Sequence, residues 1–140
     1  MTPVSNGGSN RPRTPLAKAW EIARQSPDPH PVMVATQVVR DGGSDDAFIV
    51  ALLHDALEDG YASEDEIVAE FSVTIYSAVY TLTRQPGEEY ADYIDRINES
   101  GDHLAQFVKK ADLTVNLHRS AEDGRASLVK RYVRALEVLV

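Results

Sequence analysis

The segment SDDAFIVALLHDALEDG, residues 44–60, decides the fold, because a run of apolar side chains there leads directly into a cluster of ionisable ones. Ser44 is a favourable helix N-cap, and Gly60 is a typical residue at which a helix ends. Residues 47–53 are apolar on every side of the helix that they would form, and a helix of this kind is normally buried. The segment is therefore predicted to be the central helix of the domain, running from Ser44 to Gly60.

Four ionisable residues occupy the end of this helix: His54, Asp55, Glu58 and Asp59. Residues four apart lie on the same side of a helix, so the four side chains form two adjacent stripes. Burying unpaired charge is costly, so these groups either face water or bind something. An imidazole with carboxylates suits manganese, iron, zinc or another first-row divalent metal. A solvated helix end would account for the same pattern, and this segment alone leaves both interpretations open.

Helical signals continue on both sides of the central helix. Residues 15–24 place Leu16, Trp20 and Ala23 at helical spacing. Residues 72–84 are rich in β-branched side chains, but their periodicity and the helices that flank them favour a helix over a strand. The chain shows no internal repeat and no alternation of strands and turns. We therefore predict an all-α fold, a compact bundle of about six or seven helices.

The length and composition fit one domain, since the chain has 140 residues and 43% of them are hydrophobic. Residues 1–14 are rich in Gly, Ser, Asn and Pro and are predicted to form a flexible tail, which leaves residues 15–140 for the folded domain. The net charge of -8 argues against a broad surface for nucleic acid or anionic membrane. The absence of cysteine excludes disulfides and cysteine-based zinc sites. We expect a cytoplasmic protein without a signal peptide, and a homo-oligomer stays open.

Two residues outside the central helix could join its ionisable cluster. His30 lies between two prolines at a predicted helix start, which is a rigid setting for a ligand. Asp112 lies in an apolar stretch, and Asn116, one turn further on, faces the same way. Taken singly, His30 is more simply an exposed loop histidine, and Asp112 the partner of a nearby lysine. The order His, His-Asp, Asp along one chain favours a shared site instead.

Three blocks of sequence carry a resemblance to a known family: HPVMVA (30–35), LLHDALEDG (52–60) and VKKADLTVNL (108–117). Their order resembles that of the HD superfamily of metal-dependent phosphohydrolases. The blocks are similar to the hydrolase domain of RelA/SpoT-type alarmone enzymes and of their small stand-alone relatives. The stretches EEYADYIDRI and KRYVRALEVL also fit the small members. The resemblance implies an HD-type phosphohydrolase domain over residues 15–140.

The resemblance also implies a role for the residues of these motifs. It assigns four metal ligands, usually of Mn²⁺: His30, His54, Asp55 and Asp112. Glu58 and Asp59 match the acidic pair that positions or activates the attacking water. Asn116 matches an asparagine that contacts the substrate, and Tyr132 falls near a tyrosine that lines the nucleotide site. A bound divalent ion lowers the pKa of water and polarises a phosphoryl oxygen, while a nearby carboxylate accepts the proton of the water.

Phosphoryl transfer also needs cations near the charge that develops on the phosphoryl oxygens. The sequence offers Lys109, Arg24 and Arg96 for this purpose, although Lys109 would serve equally well as a structural ion-pair partner. Relatives that cleave (p)ppGpp usually carry an Arg-Lys pair and a longer loop with Ser and Gly before the first histidine. Here the stretch RQSPDPH, residues 24–30, is several residues shorter and has Gln25 in place of the lysine. The identity of the nucleotide therefore stays open.

The expected activity is metal-dependent hydrolysis of a small nucleotide, most closely the 3′-pyrophosphate of (p)ppGpp. A hydrolase of a different phosphorylated nucleotide and a non-catalytic HD module that binds nucleotide for regulation are the alternatives. The shortened loop favours the regulatory module. The intact pair Glu58 and Asp59 argues against it, because an inactive descendant would tolerate the loss of these acids. A structural helical domain with a solvated acidic patch is the remaining alternative.

Overall fold

The computed structural model describes residues 13–139, which form nine helices and contain no strand. The helices are α1 (Pro15–Ala23), α2 (His30–Arg40), α3 (Asp45–Leu53), α4 (Ala56–Asp59), α5 (Glu64–Glu70), α6 (Val73–Leu82), α7 (Tyr90–Glu99), α8 (His103–Glu122) and α9 (Ala126–Val138). The predicted all-α fold is confirmed. None of these helices has the length and apolar character that crossing a bilayer would require.

The N-terminal end of the described chain begins at α1. Most of the predicted flexible tail, residues 1–12, lies outside the described residues. Thr14 caps α1, because its hydroxyl accepts a hydrogen bond from the backbone N–H of Ala17. The helix forms where the spacing predicts it, but Ala19 and Ala23 are its buried residues, whereas Trp20 is 48% exposed. The packed face of α1 is therefore its small-residue face.

Helix α3 is the centre of the core, as its apolar sequence predicts. Ser44 caps it through a hydrogen bond from the backbone N–H of Ala47 to the Ser44 hydroxyl, at 3.1 Å. Within residues 47–53 every side chain is buried except that of Phe48, which is half-buried. Helices α1, α2, α6 and α8 pack around it and cover all of its sides. Burial of this apolar surface is the main force that holds the bundle together.

The central helix does not continue unbroken to Gly60, so that part of the prediction is wrong. Helix α3 ends at Leu53, His54 and Asp55 form a turn, and the single-turn helix α4 follows. The backbone of Asp55, with φ -102° and ψ 0°, departs from helical geometry, and this departure redirects the chain. Gly60 ends α4 in the left-handed conformation at φ 76°, which glycine adopts without steric cost. The break places the His-Asp pair at the end of the apolar helix and not along its side.

Within residues 72–84, Val73–Leu82 form helix α6, as the periodicity predicts and against the β-preference of the side chains. The hydroxyl of Ser72 caps the helix by accepting a hydrogen bond from the N–H of Ile75. Its buried residues recur at helical spacing: Ile75, Ala78, Val79 and Leu82. The N-cap and the packing of this face outweigh the weak intrinsic preference of valine, isoleucine and threonine for strands.

Three helices bring the predicted site together. Helix α8, the longest of the described part, crosses α2 and α3, and these two helices also pack against each other. The first residue of α2 is His30, the turn after α3 holds His54 and Asp55, and the middle of α8 holds Asp112. The fold thus delivers these residues from three helical segments to one location.

Candidate metal centre

His30 is held in place by the loop that precedes it. Its backbone N–H donates a hydrogen bond to Oδ1 of Asp28 at 2.8 Å, and Pro31 follows at the second helical position, where proline is well tolerated. Asp28 is itself paired with Arg119 of α8, with 3.1 Å between Oδ1 and Nη1. The loop and the start of α2 are therefore tied to α8. The ring of His30 points inward and its side chain is only 14% exposed.

The His54 ring has one nitrogen in use and one that lacks a partner. Its Nδ1 lies 2.6 Å from the carbonyl oxygen of Ala51, so Nδ1 carries a proton and donates it. Nε2 is buried and has no hydrogen-bond partner within the described residues. A histidine that binds a metal typically donates its other ring N–H in this manner, which fixes the ring orientation and leaves the ligand nitrogen bare.

His30, His54, Asp55 and Asp112 form one compact group, called here the His/Asp cluster. Nε2 of His30 lies 2.7 Å from Oδ1 of Asp112, and the two imidazole rings are 5.3 Å apart between centroids. Nε2 of His54 lies 3.2 Å from Oδ2 of Asp55 and 3.6 Å from Oδ1 of Asp112. The predicted convergence of the two histidines and two aspartates is therefore present in the fold.

The donor set of the His/Asp cluster fits a divalent metal. His30, His54 and Asp55 each offer one ligand atom, and these three atoms lie within 4.8 Å of one another. With metal–ligand bonds of roughly 2.1 Å, neighbouring ligand atoms around an ion lie about 3 Å apart. The separations between the ring nitrogens and the carboxylate oxygens, 2.7, 3.2 and 3.6 Å, lie on both sides of this distance. Two imidazoles and carboxylate oxygens suit first-row divalent metals.

Asp112 has partners of two kinds: the predicted pairing with a nearby lysine is present, and its role as a metal ligand stays a prediction. Its Oδ1 faces the histidines, and the amide nitrogen of Asn116 lies 3.3 Å from the same oxygen. Its Oδ2 accepts a hydrogen bond from the ammonium of Lys109 at 2.7 Å. Lys109 is itself buried, and its Nζ lies 4.8 Å from the ring centroid of Tyr93. The buried lysine therefore holds the Asp112 carboxylate on the side that faces away from the histidines.

The electrostatics of the His/Asp cluster favour positive charge at its centre. Burial raises the pKa of the Asp112 carboxyl, but the charge of Lys109 and the two histidines outweigh it and hold the pKa well below the usual range. Burial lowers the pKa of His54, while the adjacent carboxylates of Asp55 and Asp112 raise it, and the net direction is upward. These directions favour a positive charge, a proton or a divalent cation, next to the carboxylates of the cluster.

The predicted acidic pair borders the cluster. Oε1 of Glu58 accepts a hydrogen bond from the backbone N–H of Arg84 at 2.6 Å, which fixes the position of the carboxyl group. Reduced solvation raises the pKa of Glu58, and the neighbouring charge of Asp55 raises it further. The same two causes raise the pKa of Asp59, which is exposed. Both carboxyl groups are therefore better proton acceptors than ordinary surface acids.

Two of the cations predicted to bind phosphate, Arg96 and Arg24, differ in their surroundings. Arg96 is already bound: its guanidinium donates to the Glu88 carboxylate and to the carbonyl oxygens of Thr81 and Thr83. These bonds hold the Arg96 side chain of α7 against the end of α6 and the connection after it, and its predicted role toward a phosphoryl group stays a prediction. Arg24 is exposed at the C-terminal end of α1 and makes no side-chain hydrogen bond or ion pair within residues 13–139.

The remaining predicted contact, Tyr132 of α9, is half-buried, and its ring centroid lies 6.4 Å from that of Tyr90.

Tyr90 is a residue to which the sequence analysis assigned no role. Its hydroxyl is buried without a hydrogen-bond partner in the described part of the chain. The side chains of Arg84 and Arg131 lie over its ring, with guanidinium carbons 5.6 and 4.3 Å from the centroid. The stretches EEYADYIDRI and KRYVRALEVL contain Tyr90 and Arg131, but nothing in their local pattern indicated this contact.

In comparisons with known proteins, no family model matches this chain, and no curated protein matches it either. Function is therefore inferred from the residues of the site and their geometry.

Proposed function

We propose that the chain is a metal-dependent nucleotide phosphohydrolase of the HD type, similar to the hydrolases of (p)ppGpp. The observation that carries the proposal is the bare Nε2 of His54, buried and directed at the carboxylates of Asp55 and Asp112. A buried polar atom without a partner costs free energy, and such a cost is normally retained only where something binds. The ring of His30 closes the same space.

The proposed cofactor is Mn²⁺, held by the His/Asp cluster. When bound, a divalent cation lowers the pKa of water and stabilises negative charge on a phosphoryl oxygen. The chain contributes rigid placement of the ligands. Ala51 orients the His54 ring, Asp28 anchors the backbone of His30, and Lys109 holds Asp112. These contacts fix the donor atoms before any ligand arrives, which limits the reorganisation needed during the reaction.

Glu58 is the proposed general base. Oε1 is occupied by the N–H of Arg84, so the proton of the attacking water is transferred to Oε2. The raised pKa of Glu58 strengthens it as a base, because a carboxyl group with a higher pKa holds the transferred proton more firmly. Asp59, one residue further on, orients the water. Asn116 uses one N–H on Asp112 and keeps its amide oxygen and second N–H for the substrate.

The proposed reaction is hydrolysis of the 3′-pyrophosphate of a guanosine polyphosphate. The water oxygen forms a bond to the phosphorus that is attached to the ribose 3′ oxygen, and the bond between that phosphorus and the 3′ oxygen breaks. The departing 3′ oxygen takes the proton that Glu58 had accepted. The products from ppGpp are guanosine 5′-diphosphate and pyrophosphate.

The test is release of pyrophosphate from ppGpp by the purified chain with and without Mn²⁺, together with elemental analysis of the protein. We expect metal-dependent release in the wild type, and Asp55→Asn should lower kcat/KM at least about 100-fold, since second-shell partners alone cost 10–100-fold. Asp46→Asn is the matched control, because Asp46 is an exposed acid in the first turn of α3. Its activity should equal that of the wild type.

A wild-type protein that releases no product from ppGpp or from a panel of other phosphorylated nucleotides contradicts the proposal. Tight nucleotide binding without turnover would instead favour the regulatory module, which the short loop of residues 24–30 keeps as the second candidate. Turnover of a different nucleotide would retain the phosphohydrolase and change its substrate.

A further inference from the structure

A cavity of about 360 Å³ lies between α7 and α9, outside the His/Asp cluster. Its polar lining consists of three arginines, two acids and one tyrosine: Arg84, Arg131, Arg134, Glu89, Asp95 and Tyr90. We call it the arginine cavity. Arg131 and Arg134 are three residues apart on α9 and therefore lie on one side of that helix. Ile94 and Val138 supply part of its apolar lining, so the space combines cations with an apolar wall.

The charge of the arginine cavity is opposite to that of the whole protein. Three cations face two carboxylates there, whereas the net charge of the chain is -8. Arg131 and Arg134 make no ion pair within residues 13–139, and Arg84 uses only its Nε, on the carbonyl oxygen of Glu88. Guanidinium groups that remain without carboxylate partners are well suited to bind phosphate through two parallel hydrogen bonds.

Tyr90 supplies a neutral hydrogen-bond donor to the same space. It lines the cavity, and its hydroxyl is buried without a partner in the part of the chain that the structure describes. Burial raises the pKa of Tyr90, so the hydroxyl keeps its proton and can donate it at neutral pH. Its ring is flanked by the guanidinium groups of Arg84 and Arg131, which holds the two cations beside the hydroxyl-bearing side chain.

Two short chains of contact join the arginine cavity to the His/Asp cluster. In the first, the ring of Tyr90 lies 6.1 Å from that of Tyr93, which lies 4.8 Å from Nζ of Lys109, the partner of Asp112. The second chain ends at Glu58, which borders the cluster. The backbone N–H of Arg84 donates a hydrogen bond to Glu58, while the side chain of Arg84 lines the cavity.

We propose that the arginine cavity binds a second phosphate group of the nucleotide whose first phosphate group is at the His/Asp cluster. The proposal rests on the proposed function, and it makes the substrate a nucleotide phosphorylated at two positions. Of the three cations expected from sequence, Lys109 and Arg96 are already paired with carboxylates, whereas the arginines of the cavity have no carboxylate partner among the residues that the structure describes. In ppGpp the second group is the 5′-diphosphate, which the product guanosine 5′-diphosphate retains.

Binding is measured by calorimetry on the full chain without added metal, with guanosine 5′-diphosphate and guanosine as probes. We expect the diphosphate to bind more tightly than guanosine. The double variant Arg131→Gln/Arg134→Gln should weaken diphosphate binding about tenfold or more, since a hydrogen bond to a charged group corresponds to roughly that factor, and should leave guanosine binding unchanged. Raised salt should weaken the diphosphate complex selectively, because exposed charges are screened.

The control is the double variant Arg125→Gln/Lys130→Gln, which removes the same charge at the N-terminal end of α9, at a separate cleft against α8. It should bind both probes like the wild type, and the unfolding midpoints of both double variants should match that of the wild type. In turnover with Mn²⁺, the preference in kcat/KM for ppGpp over guanosine 3′-diphosphate should fall about tenfold in the Arg131/Arg134 variant.

The outcomes separate the two proposals. Equal binding of the two probes, or equal losses in both double variants, overturns the arginine cavity as a phosphate site. The cavity is also overturned as a phosphate site if the Arg131→Gln/Arg134→Gln variant hydrolyses ppGpp with metal and keeps the wild-type preference for ppGpp over guanosine 3′-diphosphate. That result would leave the proposed function standing. Arginine-dependent binding of the diphosphate without turnover of any nucleotide supports the cavity and contradicts the phosphohydrolase.

Discussion

The His/Asp cluster lies where three helices pack together, and the exposed fractions of His54 and Asp112 are 3% and 4%. The arginine cavity lies against α9, whose only buried residue within Ala126–Val138 is Ala135. In the cluster the buried carboxylate of Asp112 is paired with the ammonium of Lys109. In the cavity Arg131 and Arg134 are exposed to water.

This difference separates charges that support the fold from charges that are available to a ligand. Removing one member of a buried pair leaves the other charge desolvated and alone, which costs several kcal/mol. Removing an exposed charge usually changes stability by less than about 0.5 kcal/mol. Changes in the His/Asp cluster should therefore alter stability and metal binding together, whereas changes in the arginine cavity should alter ligand binding alone.

The largest effect is expected for Asp112→Ala. The change leaves the buried ammonium of Lys109 without its carboxylate, so the free energy of unfolding of the metal-free protein should fall by about 3–5 kcal/mol. Urea denaturation measures this quantity. The double variant Lys109→Met/Asp112→Leu should recover most of the loss, because an apolar pair carries no desolvation penalty.

Asp123→Ala is the control for this prediction, since Asp123 is an exposed acid at the C-terminal end of the same helix. Its effect should stay within about 0.5 kcal/mol. If Asp112→Ala were as mild as its control, the carboxylate would not be holding Lys109 in the core, and the contrast between the two regions would disappear.

A smaller effect is expected for Asp28→Ala. Asp28 binds the backbone N–H of His30 and pairs with Arg119, so it positions the histidine without touching the proposed metal. Loss of such a positioning contact should weaken Mn²⁺ binding about tenfold, measured by calorimetry. Asp41→Ala, at the other end of α2, is the control and should bind Mn²⁺ like the wild type. Unchanged affinity in Asp28→Ala would show that the proline-rich loop alone fixes His30.

The smallest effect is expected for Glu88→Gln, in the connection between α6 and α7 beside the arginine cavity. The hydrogen bond from Arg96 lowers the pKa of Glu88 below its ordinary value of 4.5 in the folded protein. A folded-state pKa below the unfolded one means that the carboxylate stabilises the fold at pH values well above 4.5. This contribution is lost as the pH falls through the lowered folded-state pKa.

Unfolding of wild type and Glu88→Gln is compared between pH 7 and pH 3. The wild type should be the more stable protein near neutral pH, and the difference should shrink as the solution becomes acidic. Glu137→Gln is the control, because Glu137 is exposed on α9 and has no ion pair within residues 13–139. A difference that grew toward low pH would contradict the assigned sign.

Local signals predicted where helices form better than which of their faces are buried. Ser44 caps α3 as its position before the apolar run predicts, because a cap acts on backbone groups only two or three residues away. The spacing of Leu16 and Trp20 also indicated α1 correctly. Those two side chains are nevertheless about half exposed, since the close approach of α1 to α3 requires the small residue Ala19 at the contact.

In the candidate site, too, local sequence signals indicated some features and not others. The motif residues His30, His54, Asp55 and Asp112 could be chosen from the sequence, because the order His, His-Asp, Asp and the three blocks that contain it are recognisable along the chain. The residues that hold these four side chains in place could not be recognised from the sequence. Asp28 pairs with Arg119 across 91 positions of the chain, and the contact between Arg84 and Glu58 uses a backbone N–H that every residue except proline possesses.

By itself, the sequence determined an all-helical chain with an apolar central segment and a set of residues suited to bind a divalent metal. These properties depend on side-chain type and on neighbours within one or two helical turns. The tertiary structure decided that His30 and Asp112, 82 positions apart, meet at 2.7 Å, that the central helix breaks at Asp55, and that arginines from separate elements share one cavity. Such distances arise only when whole helices pack to bury apolar surface, a balance summed over the entire chain that no local pattern contains.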